Sequence, residues 1–396
     1  MTPVEIRTLF SPEGQALLAE LADYAPGEEL ALASRLRRTH PPELVSAALT
    51  QARLRQRAGA KFGPDAPRMY FTANGVEQST RASVAAHRAA RFAELGATRV
   101  ADLCCGIGGD AIALARAGLG VLAVDRDPEA CAAAEANAAA LGLADRIEVV
   151  CADVTAVDTA GCDALFTDPA RRTARGRTFD PEAYSPPLSW ALAAASAGRF
   201  RCAAVKVAPG IPHEAVPDGV EAEWVSESGD VKEAALWFGT APAAASPHRA
   251  TLLPSSASLA GGRLPDPPSA PVGRFLYEPD GAVIRAHLVA EVAAELGGAT
   301  LIDPTIAYLS SERLTATPYA SAYRITDVLP FNLKRLRALL REREVGNLTV
   351  KKRGSAVEPE ELRRKVKPAG PNAATVFLTR ADGAPTMLVG HPAAAG

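Results

Sequence analysis

A glycine-rich stretch with an aspartate on either side is the part of this chain best suited to binding a ligand. Residues 101–110 read A-D-L-C-C-G-I-G-G-D, and they lead into the strong helix formers of residues 111–116. This order predicts a strand, a glycine turn and a helix, an arrangement that points backbone N–H groups and a helix N-terminus at a ligand. Asp102 comes before the glycines, where its charge would repel a pyrophosphate. The stretch therefore favours a ligand with a cationic part.

Three further aspartates follow apolar, strand-like runs. Asp125 lies nineteen residues after Gly106, the usual distance for a carboxylate that accepts hydrogen bonds from ribose hydroxyls. Asp153 and Asp168 follow the next two runs. The carboxyl ends of parallel strands meet at one edge of an open α/β sheet, where such sheets bind ligands. A cationic group beside a ribose fits S-adenosylmethionine (SAM), whose methionine part carries the positive charge.

The spacing from Asp102 to Gly109 resembles that of the class I SAM-dependent methyltransferases. It is most similar to the branch that includes the RNA cap guanine-N2 methyltransferases, whose loop reads D-x-F-C-G-x-G-G. The chain also resembles a bacterial group that carries a THUMP-like domain at the C-terminus. The resemblance covers roughly residues 70–240, with weaker similarity in the tail. It implies an α/β fold with a Rossmann-like methyltransferase sheet.

The resemblance also implies the residues of the SAM site, which are Asp102, Cys104, Gly106, Gly108, Gly109, Asp125, Asp127 and Asp153. Asp102 and the glycine loop would hold the methionine part, Asp125 the ribose, and Asp153 the adenine amino group. Cys104 stands where many methyltransferases have their first glycine. This departure fits the family if residue 104 needs no positive φ.

The motif that would face the substrate is T-D-P-A-R-R at residues 167–172. Methyltransferases that act on base nitrogens usually have a polar residue, two prolines and an aromatic residue here, and they work mainly by positioning the acceptor. This chain keeps Asp168 and Pro169 but lacks the second proline and the aromatic ring. Arg171 can stack on a base in place of the ring, because guanidinium planes do so. Phosphate binding by Arg171, Arg172, Arg175 and Arg177, or a solvated arginine-rich loop, are the alternatives. We therefore predict Asp168, Pro169 and Arg171 as the catalytic residues.

Composition narrows the remaining classes. The 396 residues suffice for two or three domains, and a net charge of −2 gives no overall affinity for polyanions, so a nucleic-acid surface must be a local patch. The six cysteines form no C-x-x-C pair, which favours reduced thiols and no metal site. The first residues show no signal-peptide pattern, and no apolar run is long enough to cross a membrane. We expect a cytoplasmic protein without a membrane partner.

The helices and strands that position these residues can be predicted from hydrophobic periodicity and from residues that begin or end helices and form turns. Residues 1–68 are expected to be a helical region, with helix starts at Ser11 and Pro42. Residues 69–240 alternate between strand and helix patterns and are predicted as the methyltransferase domain. Two β-prone runs at its end, separated by a turn cluster, predict a terminal antiparallel hairpin. Nicotinamide-binding Rossmann domains have an all-parallel sheet, so the hairpin favours SAM.

Two helices of this domain carry further candidates. A helix predicted from about residue 77 to residue 95 would cover the cofactor, so Thr72 and Gln78 are candidate pocket residues. Plain packing against the sheet is an equally good interpretation of both. A second helix is expected at residues 128–141, with Asn137 on its solvated face.

The C-terminal part combines a spacer with a basic domain. Residues 241–273 are rich in Ala, Pro, Ser and Gly and are expected to be a linker, and residues 274–396 are expected to be an α/β THUMP-like domain. From Lys334 to Lys367 there are twelve Lys or Arg against five Glu. A solvated face and an RNA-binding surface both remain open for these cations. The candidate phosphate-binding residues are Lys334, Arg335, Lys351, Lys352 and Arg353.

Together these patterns predict a SAM-dependent methyltransferase that acts on a base nitrogen of structured RNA, such as tRNA or rRNA. An RNA-binding module without catalysis and a small-molecule methyltransferase remain open alternatives. A nucleotide-dependent oxidoreductase is disfavoured by the acid before the glycines and by the terminal hairpin. Uracil-C5 chemistry is also disfavoured, because it needs a cysteine nucleophile where this chain has Ala208, Pro209 and Gly210.

Overall fold

The computed structural model describes residues 3–25, 27–170, 172–173, 176–177, 180–240 and 246–393. Arg171, one of the predicted catalytic residues, lies outside the described residues. The chain divides into two compact units. The first comprises Met1–Val220 and Ala234–Ala241, and the second comprises Glu221–Glu233 and Pro242–Gly396.

In the described part of the chain, helices alone precede the first strand. They are α1 (Pro3–Thr8), α2 (Pro12–Glu20), α3 (Glu29–Leu36), α4 (Pro42–Phe62), α5 (Ala73–Gln78) and α6 (Ala82–Glu94). The predicted start of α2 is confirmed, because the Ser11 side chain accepts a hydrogen bond from the Gly14 N–H. The single helix expected at residues 77–95 is instead two helices with a break at residues 79–81. That break brings Thr80 to a buried lysine of the sheet, as shown below.

The remaining elements of the first unit alternate between strand and helix. They are β1 (Arg99–Leu103), α7 (Gly109–Arg116), β2 (Gly120–Asp125), α8 (Pro128–Ala140), β3 (Ile147–Cys151), β4 (Ala164–Thr167), β5 (Arg172–Thr173), β6 (Gly176–Arg177), α9 (Leu188–Ala195), β7 (Cys202–Val207), β8 (Glu221–Glu227) and β9 (Asp230–Phe238). Of these, β8 and the start of β9 belong to the second unit.

The sheet of the first unit has the order β9-β7-β4-β1-β2-β3. Neighbouring strands are parallel, except that β9 is antiparallel to β7. β8 follows on the other side of β9, and Ser228 and Gly229 in the turn between them both have positive φ, as in turns that match strand twist. The expected terminal hairpin and Rossmann-like methyltransferase sheet are therefore confirmed. Side chains such as Leu17, Phe71 and Trp237 join the N-terminal helices and the sheet in one hydrophobic core.

Asn137 is not solvated, and the prediction for it was wrong. Its side chain is fully buried, donates to the carbonyl oxygens of Tyr70 (3.0 Å) and Ile107 (2.9 Å), and accepts from the Tyr70 N–H (2.6 Å). The reason is that eight of the thirteen residues of α8 are alanine and the helix is covered on most sides, so it has no polar face that periodicity could reveal.

The second unit adds further strands and helices. They are β10 (His248–Leu253), β11 (Ala257–Gly261), β12 (Phe275–Pro279), α10 (Gly281–Arg285), α11 (Val289–Glu295), β13 (Thr300–Asp303), β14 (Ile306–Ser311), β15 (Ala320–Pro330), α12 (Leu333–Glu342), β16 (Val345–Lys352), α13 (Pro359–Val366), β17 (Asn372–Ala381) and β18 (Ala384–Pro392). A sheet with the order β13-β14-β12-β15-β18-β17-β16 carries α12 and α13 on a shared core. This arrangement confirms the expected α/β C-terminal domain.

The segment expected as a linker contains two strands. Within residues 241–273, β10 pairs in parallel with β8 and antiparallel with β11. Ala250 and Leu252 of β10 are buried, as expected of a strand inside a sheet. The sequence did not reveal this strand because small and turn-forming residues surround it. Among the described helices, none is both long and apolar enough to cross a membrane.

Candidate functional site

A cavity of about 370 Å³ lies at the carboxyl ends of the central strands of the first unit, a volume within the range of small-molecule sites. Eight of the predicted residues line it, namely Asp102, Cys104, Gly106, Gly109, Asp125, Asp127, Asp168 and Pro169. The pocket candidates Thr72 and Gln78 line it as well. Gly108 and Asp153 do not.

Asp102 is a buried carboxyl group that has no hydrogen-bond partner in the described part of the chain. It is 1% exposed, and neither of its carboxylate oxygens has a hydrogen-bond partner among the described residues. Burial, and then the negative charge of Asp110, raise the pKa of this carboxyl well above its ordinary value. An unpaired acid in the wall of a cavity is costly unless a cationic ligand binds there. The Asp102 carboxylate therefore fits a ligand that donates hydrogen bonds from a charged amino group, such as the amino group of a methionine moiety.

The glycine loop keeps the backbone open beside this acid. Gly106 has φ +54°, and a Cβ at this position would meet nothing within 4 Å, so its backbone is accessible from the cavity. Gly108 has φ +83° and lies against α8, where a Cβ would come within 3.3 Å of the Ala134 side chain. Gly108 thus serves close helix packing, which explains its absence from the cavity wall.

Cys104 has φ +68°, so the condition on which its fit to the family depended does not hold. A positive φ is uncommon outside glycine and strains the backbone. The strain persists because the N–H groups of Cys104 and Cys105 both donate to the Val124 carbonyl oxygen, at 2.8 and 3.0 Å. Burial raises the pKa of the Cys104 thiol, which holds it as a neutral thiol in the cavity wall.

Asp125 is fixed for hydrogen bonding at the end of β2. One of its carboxylate oxygens accepts from the Gly106 N–H and the other from the Asp127 N–H, both at 2.9 Å. Each oxygen keeps a further lone pair, which is what the two hydroxyls of a ribose need. Asp127 lines the cavity and also caps α8 through the Glu129 N–H.

Asp153 lies away from these residues. It is exposed, and its carboxylate accepts hydrogen bonds from the Thr155 N–H (2.9 Å) and hydroxyl (2.7 Å). These hydrogen bonds lower the pKa of the Asp153 carboxyl. The structure does not bring Asp153 to the cavity wall, so its role at the adenine stays a prediction.

Asp168 at the end of β4 is paired with Lys206 of β7, which sequence reasoning missed. The Lys206 Nζ donates to Asp168 Oδ2 at 2.6 Å and to the Thr80 hydroxyl at 2.9 Å. The lysine side chain is 8% exposed and that of Asp168 25%. A lysine inside the apolar strand C-A-A-V-K-V was the available signal, because charges are rarely buried unless they are paired.

A second buried pair lies beside Asp102. Arg88 of α6 pairs with Asp110 at the start of α7, and the Arg88 guanidinium lies 4.3 Å from the centre of the Phe166 ring. Asp110 also lines the cavity. Because Arg88 pairs with Asp110, Asp102 is the one of these two neighbouring acids whose side chain has no hydrogen-bond partner among the described residues.

The five candidate RNA contacts divide into two groups. Lys351 pairs with Glu278, Lys352 pairs with Glu358, and Arg353 lies 5.3 Å from the centre of the Tyr308 ring. Lys334 and Arg335 of α12 are exposed and have no ion-pair partner among the described residues. A phosphate would therefore find its counter-charges on α12 more readily than on β16.

The sheet order and the lined cavity together define a class I methyltransferase. Three family models match parts of the chain. They are described as RNA cap guanine-N2 methyltransferase, matching residues 97–188, as THUMP domain-like, matching residues 320–392, and as a domain of unknown function, matching residues 2–58.

Relatives extend this likeness over most of the chain. Two proteins of Mycobacterium tuberculosis, named uncharacterized SAM-dependent methyltransferases, are 35% identical over 336 residues, which are 83% of this chain and 90% of theirs. A crystal structure from Porphyromonas gingivalis, described as that of a methyltransferase, covers 94% of this chain and 100% of its own at 22% identity, with a TM-score of 0.74. That likeness shows the fold. The chain belongs to the SAM-dependent methyltransferases.

Proposed function

We propose that this methyltransferase acts on a base nitrogen of a structured RNA. The observation that carries the proposal is the Asp168–Lys206 pair, which stands in the cavity wall at the end of β4, next to the glycine loop. A nitrogen acceptor that is held near a methyl donor needs positioning more than it needs a strong base. A carboxylate that a buried ammonium keeps in one place supplies that positioning.

Each residue of the motif has a part in this proposal. When bound, SAM supplies a methyl group on a positively charged sulfur. Asp168 accepts a hydrogen bond from the acceptor's N–H and thereby turns the nitrogen lone pair toward that methyl group. The Pro169 carbonyl is a second acceptor in the same wall. Asp168 or water would accept the proton that the nitrogen loses when it takes the methyl group from the sulfur.

Two observations support RNA as the substrate class. The family models for residues 97–188 and 320–392 describe an RNA methyltransferase and a THUMP-like domain. In addition, Lys334 and Arg335 give α12 exposed cations, and counterion release from RNA phosphates makes such cations effective for binding. We propose Lys334 and Arg335 as phosphate contacts. Lys351 and Lys352, which already have ion-pair partners, and Arg353, which lies over the Tyr308 ring, have a lesser role.

Transfer of labelled methyl groups separates the three remaining functions. The protein is incubated with labelled SAM and either total RNA or the low-molecular-weight fraction, both from cells that lack this protein. We expect label in RNA with the wild type, loss of label with Asp168→Ala, and full activity with Asp158→Asn, an exposed acid outside the cavity.

Label in the low-molecular-weight fraction alone would contradict the RNA proposal and indicate a small-molecule methyltransferase. No label in either fraction, from protein that binds SAM, would indicate an RNA-binding module without catalysis.

A further inference from the structure

A second cavity lies in the N-terminal helical region, whose family model carries no function. Its volume is about 560 Å³, it lies between α2, α4 and residues 66–70, and it shares no lining residue with the cofactor cavity. Leu18, Leu21 and several alanines form its nonpolar wall. Two arginines, two glutamines and a tyrosine form its polar wall, and none of the described lining residues is Asp or Glu.

The polar wall presents hydrogen-bond donors. The Tyr70 hydroxyl oxygen accepts a hydrogen bond from Gln15 Nε2 at 2.7 Å, so its own proton can be donated to another acceptor. No described residue accepts that proton. Tyr70 is 4% exposed, and its main chain is held at both ends by Asn137. The hydroxyl is therefore a fixed donor at the edge of the cavity.

Arg55 is a half-buried cation that no described carboxylate neutralises. Its Nε donates to the Met69 carbonyl oxygen at 2.9 Å, and its guanidinium lies 5.1 Å from the centre of the Tyr70 ring. Burial lowers the pKa of Arg55, which marks the cost of removing this charge from water. Arg68 stands in the same wall and gives it a second positive charge. An anion in the cavity would compensate both.

Gly59 keeps the space open. It lies inside α4, where glycine costs about 1 kcal/mol of helix stability relative to alanine. A Cβ at this position would meet nothing within 4 Å, so close packing does not require the glycine. Because Gly59 lines the cavity, a larger side chain there would project into it.

We propose that this cavity binds a small organic anion, a phosphate or carboxylate attached to a nonpolar body. Arg55, Arg68 and the Tyr70 hydroxyl bind the charged group, and the nonpolar body packs against Leu18 and Leu21. The site is independent of the cofactor cavity, so it stands or falls separately from the RNA methyltransferase proposal.

Titration calorimetry with phenyl phosphate tests the site on the full chain saturated with S-adenosylhomocysteine, which fills the cofactor cavity. Benzyl alcohol is the neutral probe of similar size. Arg55→Gln removes the charge, and Gly59→Leu fills the space while favouring the helix. Arg57→Gln is the matched control, because Arg57 lies on the same helix, is exposed, and pairs with Glu77 outside this cavity.

We expect saturable one-site binding of phenyl phosphate to the wild type and to Arg57→Gln. Arg55→Gln and Gly59→Leu should bind at least about tenfold more weakly, as expected for loss of a charge-assisted hydrogen bond or of the space itself. Gly59→Leu decides the outcome if Arg55→Gln folds poorly. Three results would overturn the proposal: undiminished binding of phenyl phosphate to Gly59→Leu, equal affinity of the wild type for benzyl alcohol, or no binding to the wild type at about 10 mM phenyl phosphate. The last concentration is well above the Kd of about 1 mM that weak specific binding would give.

Discussion

Replacing Asp102 by asparagine should have opposite effects on cofactor affinity and on the stability of the unliganded protein. The wild-type carboxylate is buried and has no partner among the described residues. Its charge therefore lowers the stability of the unliganded protein and raises the affinity for a ligand with an ammonium group. Asparagine keeps the shape of the side chain and removes the charge. The variant should therefore bind SAM more weakly and yet unfold less easily when empty.

The expected changes in SAM affinity and in stability follow from the strength of a charged hydrogen bond and from the raised pKa of Asp102. A hydrogen bond to a charged group contributes about 1.5–3 kcal/mol, which corresponds to a loss of about 10- to 100-fold in SAM affinity. On the stability side, the folded-state pKa of Asp102 is raised, so its contribution is fully present below the ordinary pKa of 3.8 and is lost as pH rises through the folded-state value. Each unit of that shift removes about 1.4 kcal/mol from the free energy of unfolding.

Two measurements follow. Titration calorimetry between about pH 5 and pH 7, below the ordinary α-amino pKa of about 8, gives SAM affinity while the ligand amine stays charged. Urea unfolding of the unliganded protein over a wider pH range gives stability. The wild type should lose stability relative to Asp102→Asn as pH rises, with Asp158→Asn, an exposed acid, as the control.

The reasoning would be refuted if Asp102→Asn bound SAM as tightly as the wild type. It would also be refuted if the two unliganded proteins showed the same dependence of stability on pH, because Asp102 would then carry no buried charge.

Three further variants extend these tests. Lys206→Met should lower kcat by about 100-fold through misplacement of Asp168, with SAM affinity kept and partial rescue in Lys206→Arg; unchanged kcat would contradict the positioning role. Asn137→Ala should lower the free energy of unfolding by about 3 kcal/mol, because it leaves buried main-chain groups of Tyr70 unpaired, and urea unfolding with a loss below about 1 kcal/mol would count against this account. Replacing Lys334 and Arg335 together by Gln should reduce the slope of log K for RNA against log salt by about two, and an unchanged slope would place the RNA elsewhere.

The spacing of the aspartates and glycines predicted most of the cavity wall. The carboxyl ends of neighbouring parallel strands meet at one edge of the sheet whatever the details of side-chain packing. Asp102, Asp125 and Asp168 each lie at or directly after the carboxyl end of a strand, so their convergence needs only the strand order. Lys206 could not be paired with Asp168 in advance, since the two lie 38 positions apart on β4 and β7 and meet only in the folded sheet. The buried lysine in an apolar strand was nevertheless visible.

Other misses share a physical cause, which is that tertiary packing overrides local pattern. Asn137 is polar on a helix whose alanines give no amphipathic face, so the burial of its side chain could not be inferred from periodicity. Cys104 adopts a left-handed conformation because two successive N–H groups converge on the Val124 carbonyl, and that constraint comes from the neighbouring strand. β10 was hidden because it is a short run inside a segment rich in small and turn-forming residues, and its pairing with β8 exists only in the folded sheet.

The identity of the methylated atom tests the central claim most directly. RNA from cells that lack this protein is incubated with the enzyme and labelled SAM, digested to nucleosides and analysed by mass spectrometry. The account predicts label on a base nitrogen, and its loss in Asp168→Ala protein that still binds SAM. Label on a ribose oxygen or a base carbon, or undiminished label with Asp168→Ala, would contradict it.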